Sequence, residues 1–313
     1  MNTEIIGIDH GNACIKTTNY SFPNGITRYD FEPYTSKEVL VYDQRYYVCG
    51  NGRLPLLKDK TETNDFYLLT LVALAKEIAL RTGGNNADIT IAAGLPLTGF
   101  GLNKEKFRAY LLRDNGEPIN FYFENTYYEI AIKDVLMFPQ GYSAILSHMD
   151  VYRDVIENEP SVILCDIGGW TVDIMRLDHA IPNSDTCRSM ELGMIRCYDE
   201  IIEQVRRNTG KSLTAVQVET VLKGDQCSIN EKVKNMAVEY GRRYIKKLLS
   251  SISECGFDIG AMPIVFIGGG AGLMKRHVTP QDGLCRIITI DDVCANASGY
   301  ERAARRILWG LAP

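Results

Sequence analysis

The chain lacks the patterns on which several large function classes depend. Its nine cysteines include no Cys-x-x-Cys pair, and its four histidines stand far apart. A metal centre of clustered thiols and imidazoles is therefore not encoded, and small buried thiols are expected instead, as at Cys165 in an apolar run. No hydrophobic run approaches the roughly 18 residues that span a bilayer. The opening Met-Asn-Thr-Glu has no basic segment followed by an apolar one, so no signal peptide is expected and a cytoplasmic location follows. Basic residues are not in excess: 34 Lys and Arg face 39 Asp and Glu, for a net charge of −5. That balance argues against strong direct binding to nucleic acid, which needs cations to displace counterions from phosphates. No proline-rich or charged linker divides the chain.

What the chain has is room, and glycine in telling places. At 313 residues, 45% hydrophobic and 23% charged, it has the make-up of a globular protein of two domains. Residues 161–175 read Ser-Val-Ile-Leu-Cys-Asp-Ile-Gly-Gly-Trp-Thr-Val-Asp-Ile-Met. An apolar run, Val162 to Cys165, enters Asp166; Gly168, Gly169 and Thr171 follow, and an alternating run, Val172 to Leu177, leads away. This predicts a strand, a tight Gly-Gly turn and an antiparallel return strand. Glycine lets backbone N–H groups approach a ligand, and successive N–H groups form an anion-binding nest. Asp166 beside that nest is placed for a hydrated Mg²⁺, which needs only a carboxylate or two plus phosphate oxygens.

A Gly-Gly hairpin is common, so the weight rests on a second copy. Residues 5–12, Ile-Ile-Gly-Ile-Asp-His-Gly-Asn, again give an apolar strand, an Asp, one residue and a Gly. The alternating stretch Ala13 to Tyr20 follows and carries Lys16. Two such units, about 157 residues apart, predict a duplicated fold gripping one polyphosphate from both sides.

Elsewhere strands and helices alternate. Residues 38–49 predict a hairpin turning at Asp43-Gln44; the aromatic-rich stretch before it has no period and reads as irregular. Leu68, Leu71, Val72, Ala75, Ile78 and Ala79 predict a helix over 65–81, stopped by Thr82-Gly83-Gly84. A buried strand is expected over 89–95, a helix over 103–113 with Asn103 as N-cap, and strands over 119–123 and 126–132. An amphipathic helix should follow Pro139 and run to about residue 157, with Gln140 at its start. The plain reading of Gln140 is a helix-end hydrogen bond. Helices are expected at 194–208, 214–222 and 230–254. Asn208-Thr-Gly-Lys-Ser212 imitates a phosphate loop, but Val205 stands where its first glycine belongs and it trails a helix, so Lys211 reads as a solvated charge. Residues 263–274 predict a buried strand, a glycine turn and a helix start, offering bare backbone to a phosphate or a flat ring. A dinucleotide-binding unit, with Asp291 after a strand at 287–290, has the wrong glycine spacing. The last helix is expected over 293–309, with Ala295, Ala297 and Gly299 permitting close packing.

In chain order, Asp9 to Lys16, a helix beginning at Gln140, Asp166 to Asp173, Gly268-Gly269-Gly270 and the closing helix resemble the motif series of the actin-like ATPase superfamily. Within it the chain looks most like the plasmid-segregating ParM/StbA group. The supporting stretches are Leu95-Pro96-Leu97-Thr98, Lys106-Phe107-Arg108, Ile132-Lys133-Asp134-Val135 with Met137 and Pro139, and Val265-Phe266-Ile267-Gly268-Gly269-Gly270-Ala271. The resemblance implies an α/β, ribonuclease H-like duplicated fold of two domains with a nucleotide cleft between them. Domain I would span 1–158, with a small inserted subdomain about 21–65; domain II would span 159–292, and a C-terminal helix, 293–313, would return to domain I.

It also implies ATP or GTP with Mg²⁺, the metal oriented through water by Asp9 and Asp166. Gly11, Asn12 and Lys16 would contact the β/γ-phosphates. Gly168, Gly169, Trp170 and Thr171 would cradle phosphate from the other side, and Gly268, Gly269 and Gly270 would lie under the adenosine with Gly193 nearby. Gln140 would position the attacking water. Family members often carry Thr or Ser where Trp170 stands, and the better-known segregation actin has Glu where Gln140 stands. The implied partners are further copies of the chain in a filament and a basic DNA-binding adaptor of the ParR kind, with no direct nucleic-acid or membrane contact. Slow hydrolysis would destabilise the filament. The alternative is a small-molecule kinase or other monomeric ATPase of the same fold, but no Asp or Glu stands out as the acidic base it would need. A chaperone of the Hsp70 kind would need a longer nucleotide domain and a β-rich domain after it. A membrane-tethered shape protein would need more than the short amphipathic tail Arg305-Arg306-Ile307-Leu308-Trp309.

Overall fold

Apolar runs punctuated by glycine turns build two mixed sheets. The computed structural model, which describes residues 3–57 and 59–310, places them in separate units, Met1–Asp150 with Val293–Pro313, and Val151–Asp292. In the first unit, β1 (Glu4–His10), β2 (Cys14–Thr17), β3 (Ser21–Pro23), β4 (Ile26–Tyr29), β5 (Val39–Tyr42), β6 (Arg45–Cys49), β7 (Asn86–Leu95), β8 (Pro118–Phe123) and β9 (Thr126–Pro139) form one sheet. Their order is β3-β2-β1-β7-β9-β8-β5-β6-β4. β1, β7 and β9 run parallel at its centre. β1 and β7 are buried along almost their whole length, as central parallel strands covered on both faces must be.

The stretch before residue 38 is not irregular: β3 and β4 occupy the two edges of this sheet, and three or four residues are too few to show a period. β9 runs on to Pro139 instead of stopping at 132. A bulge opposite Ile89/Thr90 shifts its register there and breaks the alternation that would have revealed the continuation.

α1 (Asp65–Thr82) is buried without a break from Phe66 to Ala75 and ends at Gly83 in the left-handed conformation, a core helix apolar nearly all round. α2 (Leu97–Leu111) begins six residues before the expected start, so Asn103 is inside it and Pro96 stands at its N-cap. Gly99 and Gly101 lower the local helix propensity and hide the first turn; the buried residues of the helix, Phe107 and Leu111, lie in its second half. The helix expected from Gln140 is two: α3 (Tyr142–Ser147) starts after Gly141, and α4 (Met149–Asn158) starts after His148. His148 leaves the helical conformation and closes a three-residue turn on the Ile145 carbonyl. α4 crosses the division between the units.

In the second unit, β10 (Ser161–Ile167), β11 (Val172–Asp178), β12 (Ile181–Met190), β13 (Ile264–Ile267) and β14 (Ile287–Thr289) are ordered β12-β11-β10-β13-β14. β12 has no counterpart in the sequence reading. It is a polar edge strand, reached through a turn at His179-Ala180 that takes positive φ without glycine. α5 (Met194–Thr209), α6 (Ala215–Lys223), α7 (Glu231–Glu254) and α8 (Ala271–His277) complete the unit. Ile201, Val205, Val218, Tyr244, Ile245 and Leu248 join the sheet residues in its core. Gly210 in the left-handed conformation ends α5, so the Asn208–Ser212 stretch is a helix stop with Lys211 exposed. Both units share one arrangement: an antiparallel three-stranded meander, β3-β2-β1 or β12-β11-β10, extended by two parallel strands, β7-β9 or β13-β14. The duplicated motif is thus a duplicated topology.

α9 (Ala295–Trp309) belongs to the first unit, and three glycines make room for it. A Cβ on Gly7 would stand 2.0 Å from the Ala297 carbonyl oxygen, one on Gly94 2.1 Å from the Tyr300 ring, and one on Gly299 1.8 Å from the Ser143 carbonyl oxygen. Glu301 fastens the helix: it accepts hydrogen bonds from the Gly7 N–H, the Thr18 hydroxyl, Arg81 and Arg305, while Arg81 also pairs with buried Glu77. Buried charge is tolerated here because it is paired. All nine cysteines are free thiols, with Cys49, Cys165 and Cys197 buried and Cys285 exposed. Burial pushes the Cys197 thiol up to about 12 and that of Cys165 well above its ordinary range, which keeps them unreactive.

Candidate functional site

In the first unit, the carboxyl ends of the parallel strands bring the expected residues to one end of the sheet. Asp9, one residue from the end of β1, is 1% exposed and faces Lys16 across the β1–β2 pair. Lys16 Nζ lies 3.3 Å from Asp9 Oδ2. Between them the chain turns through Gly11 and Asn12. A side chain at Gly11 would meet the Cys14 carbonyl oxygen at 2.7 Å, so only glycine closes this turn. Gln140 follows the last residue of β9, and its N–H donates to the Leu95 carbonyl of β7. Asp9 and Gln140 therefore leave the same end of the sheet with β7 between them, roughly 10 Å apart at ordinary strand spacing. That end is where parallel sheets take ligands. Gln140 lies outside α3; its neighbour Gly141 takes the N-cap with φ +83°, its N–H held by Asn296 Oδ1.

The first turn is held from behind. The His10 ring is fully buried, its Nε2 2.8 Å from the Thr70 hydroxyl and its edge against Phe107. Lys60 Nζ donates to the His10 carbonyl, and Asn24 Nδ2 donates to the Gly11 carbonyl at 3.2 Å. Neither Lys60 nor Asn24 carries a local signal that sequence reasoning could use.

In the second unit the expected residues converge more tightly. Asp166 is 4% exposed and lies opposite Asp173 on β11 and Ile267 on β13. The turn closes through the Gly168 N–H to the Thr171 carbonyl at 2.9 Å. The first residues of α5 seat on this turn: the N–H groups of Met194, Ile195 and Gly193 donate to the carbonyls of Gly168, Gly169 and Trp170 at 3.0, 2.9 and 2.9 Å. In a trans peptide the carbonyl and the following N–H point in opposite directions. The N–H groups of Gly169, Trp170 and Thr171 therefore face away from α5 in succession, which is the geometry of an anion nest. Gly193 is glycine for this seating, since its Cβ would lie 2.3 Å from the Gly169 oxygen. The Thr171 hydroxyl donates to Asp173 Oδ2 at 3.0 Å.

Trp170 lines a cleft of about 400 Å³ with Glu191, Leu192, Arg196, Asp199, Glu200, Tyr244 and Lys247, residues drawn largely from α5 and α7. Gly268, at φ +81°, packs against the Asp166 carboxylate, where a Cβ would meet Oδ1 at 2.4 Å. Gly270 packs against Ile167 in the same way, whereas Gly269 faces open space. Among the described residues, no group of three or more His, Cys, Asp or Glu converges as a metal cage, and no helix is long and apolar enough to cross a membrane.

Residues 7–142 match the family described as actin-like proteins, N-terminal domain, and residues 164–280 match the archaeal actin homologues described as MreB-like, C-terminal. Among solved structures, Ta0583, an archaeal actin homolog, aligns at a TM-score of 0.78 over 97% of this chain and 99% of its own, at 18% identity. The fold is actin-like. A ParM from Clostridium botulinum, solved as a 15-stranded filament, aligns at 0.73 over 98% and 100% at 20% identity. Bacillus thuringiensis ParM with ATP aligns at 0.70 over 100% of both chains at 16% identity. No curated protein matches this actin-like chain in sequence. Its architecture resembles that of the ParM actins.

Proposed function

We propose that this actin-like protein is a nucleotide-dependent filament-forming ATPase that segregates DNA through an adaptor. The observation that carries the reading is the pair of turns of one design, each a buried Asp at the carboxyl end of a strand followed by glycine-turned backbone amides. Such a pair suits one nucleoside triphosphate, ATP or GTP, engaged by both turns. The B. thuringiensis relative with ATP and the C. botulinum relative in a filament support that reading.

Mg²⁺ fits these residues as an ion held largely by water and phosphate. Asp9 and Asp166 are two separate carboxylates, and among the described residues neither belongs to a cage of three or more ligating side chains; one or two carboxylates with water and phosphate are the donor set this cation commonly uses. When bound, the ion would neutralise phosphate charge. The chain's own residues would do the rest. Lys16, Gly11 and Asn12 bind the terminal phosphates in the first turn; Gly168, Gly169, Trp170 and Thr171 do so in the second, and Gly269 offers an open surface to the adenosine. Gln140 orients the attacking water; as a neutral amide it positions the nucleophile and takes no proton, which suits slow hydrolysis. Nucleotide occupancy would bias the conformation that binds the next copy head to tail. With a net charge of −5, contact with DNA passes through a basic adaptor.

Pelleting combined with light scattering tests the reading, with Mg-ATP, Mg-GTP, Mg-ADP or no nucleotide, for the wild type and Asp166→Ala. The expected outcome is triphosphate-dependent sedimentation that the substitution abolishes. A wild type that hydrolyses ATP yet stays monomeric at tens of micromolar would reject the filament.

A further inference from the structure

The two turns are built alike in front and differently behind. In the second unit the carbonyls of the turn are engaged by backbone N–H groups at the start of α5. In the first unit no helix end engages the carbonyls of His10 and Gly11 among the described residues; two side chains from other segments do so, whereas at the position matching His10 the Ile167 carbonyl accepts the Gly270 N–H at 3.1 Å. Lys60 donates to the His10 carbonyl, and Asn24 Nδ2 donates to the Gly11 carbonyl. By the same trans-peptide geometry, the Gly11 N–H then points away from Lys60 and the Asn12 N–H away from Asn24. We propose that Lys60 and Asn24 are positioning residues for phosphate at the first turn, fixing two consecutive peptide planes so that the Gly11 and Asn12 N–H groups present themselves to the terminal phosphates of a nucleoside di- or triphosphate. The proposal rests on the nucleotide reading above and names what aims that half of the site.

Both side chains are themselves anchored. Asn24 is 1% exposed; its backbone N–H donates to the Ala13 carbonyl at 3.0 Å, and its Oδ1 accepts from the Leu54 N–H at 3.2 Å. One amide thus joins the phosphate turn to the connector between β6 and α1. Lys60 lies on that same connector, its ammonium 5.4 Å from the centre of the Phe66 ring. His10, whose carbonyl it holds, cannot swing to follow a displaced partner, because its ring is locked by Thr70 and Phe107. The Gly25–Gly50 hydrogen bond at 2.9 Å pins the base of the connector. Orientation is what such a site needs: amides pre-aimed at an anion do not have to reorganise when it arrives. A charged donor on a carbonyl is also among the stronger single contacts available for the purpose.

The test compares Mg-ADP and Mg-ATP affinity, by titration calorimetry, for wild type, Lys60→Met, Lys60→Arg and Asn24→Asp, with the melting temperature of each measured alongside. Lys60 is only half-buried, so its variants keep the fold, whereas Asn24→Asp removes the donor to Gly11 and keeps the acceptor for Leu54. Lys60→Met is expected to weaken both nucleotides about tenfold at an unchanged melting temperature, as loss of one charge-assisted hydrogen bond would, with Asn24→Asp weakening them likewise. Lys60→Arg, which restores a cationic donor, should recover most of the loss, and a purely structural role would give no such rescue. Wild-type affinity in Lys60→Met, or a Lys60→Arg variant as weak as Lys60→Met, overturns the proposal and leaves the nucleotide reading standing. A wild type that binds neither Mg-ATP, Mg-ADP nor Mg-GTP overturns both.

Discussion

His10 shows how one residue fixes the chemistry of its surroundings. It stands between Asp9 and Gly11, yet its ring is turned into the core against Phe66 and Phe107. Burial, and after it the charge of Lys60, lowers its pKa to about 3. In the unfolded chain the same imidazole titrates near its ordinary value of about 6.5. Between those values the unfolded state binds a proton that the native state refuses, so stability is full above about pH 6.5 and falls as the pH drops. The slope contributed by one such group approaches about 1.4 kcal/mol per pH unit. Urea denaturation from pH 7.5 to 5 should show this decline in the wild type, and His10→Gln, which keeps a partner for Thr70, should remove most of it. His277, also lowered by burial, leaves a residual slope of the same sign, so the difference between the two proteins is the quantity to read. At this scale the sequence is legible where the proposed site sits in a local pattern. Asp9, Gly11 and Lys16, and likewise Asp166, Gly168 and Thr171, lie within a few positions of one another. Lys60, Asn24 and the Arg81–Glu301 pair act across tens or hundreds of positions, and nothing local marks them.

Elements were legible to the degree that their periodicity was undisturbed. α1, α5, α6 and α7 lie within two residues of their expected bounds because α1 is one long apolar run, the buried faces of the other three repeat cleanly, and their ends carry glycine or a capping side chain. The start of α2 was hidden by glycines, the far half of β9 by a bulge, and β12 by its polar, half-exposed face. The glycine turn after β13 was legible as a turn, but its three residues turn out to do different things. Gly270 is packed: a Cβ would stand 2.2 Å from Ile167 Cγ2 and 3.0 Å from Met194 Sδ. Gly269 has nothing within 4 Å of a Cβ and needs no left-handed backbone. Gly270→Ala should therefore destabilise the second unit by about 1–3 kcal/mol through overpacking. Gly269→Ala should leave the melting temperature nearly unchanged while weakening nucleotide binding, because the added methyl stands on the open surface proposed to face the adenosine. Thermal melts paired with nucleotide titration separate the two, and a Gly269→Ala protein of wild-type affinity would remove that turn from the site.

At the scale of the whole molecule, duplication has a thermodynamic consequence. Each unit has its own sheet and its own hydrophobic core, one around Ile6, Leu69, Val72 and Ile91, the other around Ile163, Val205, Ile245 and Phe266. Units of this size, each with a separate core, can unfold as separate cooperative steps. A ligand that binds only the native form stabilises by about 2.7 kcal/mol at a hundredfold excess over Kd, whatever it touches. What it touches decides which step moves. A nucleotide held by the first turn alone would raise one transition and leave the other in place. One engaged by Asp9 and Lys16 together with the amides after Asp166 must be released before either unit unfolds, so both transitions rise and draw together. Scanning calorimetry of the protein with a non-hydrolysable ATP analogue and Mg²⁺, under conditions where it stays monomeric, is expected to show that convergence. In Asp166→Ala the two transitions should stay apart and near their nucleotide-free positions. A single transition moving while the other stays fixed would confine the nucleotide to one unit. The second turn, for all its likeness to the first, would then be a product of duplication without a share in binding.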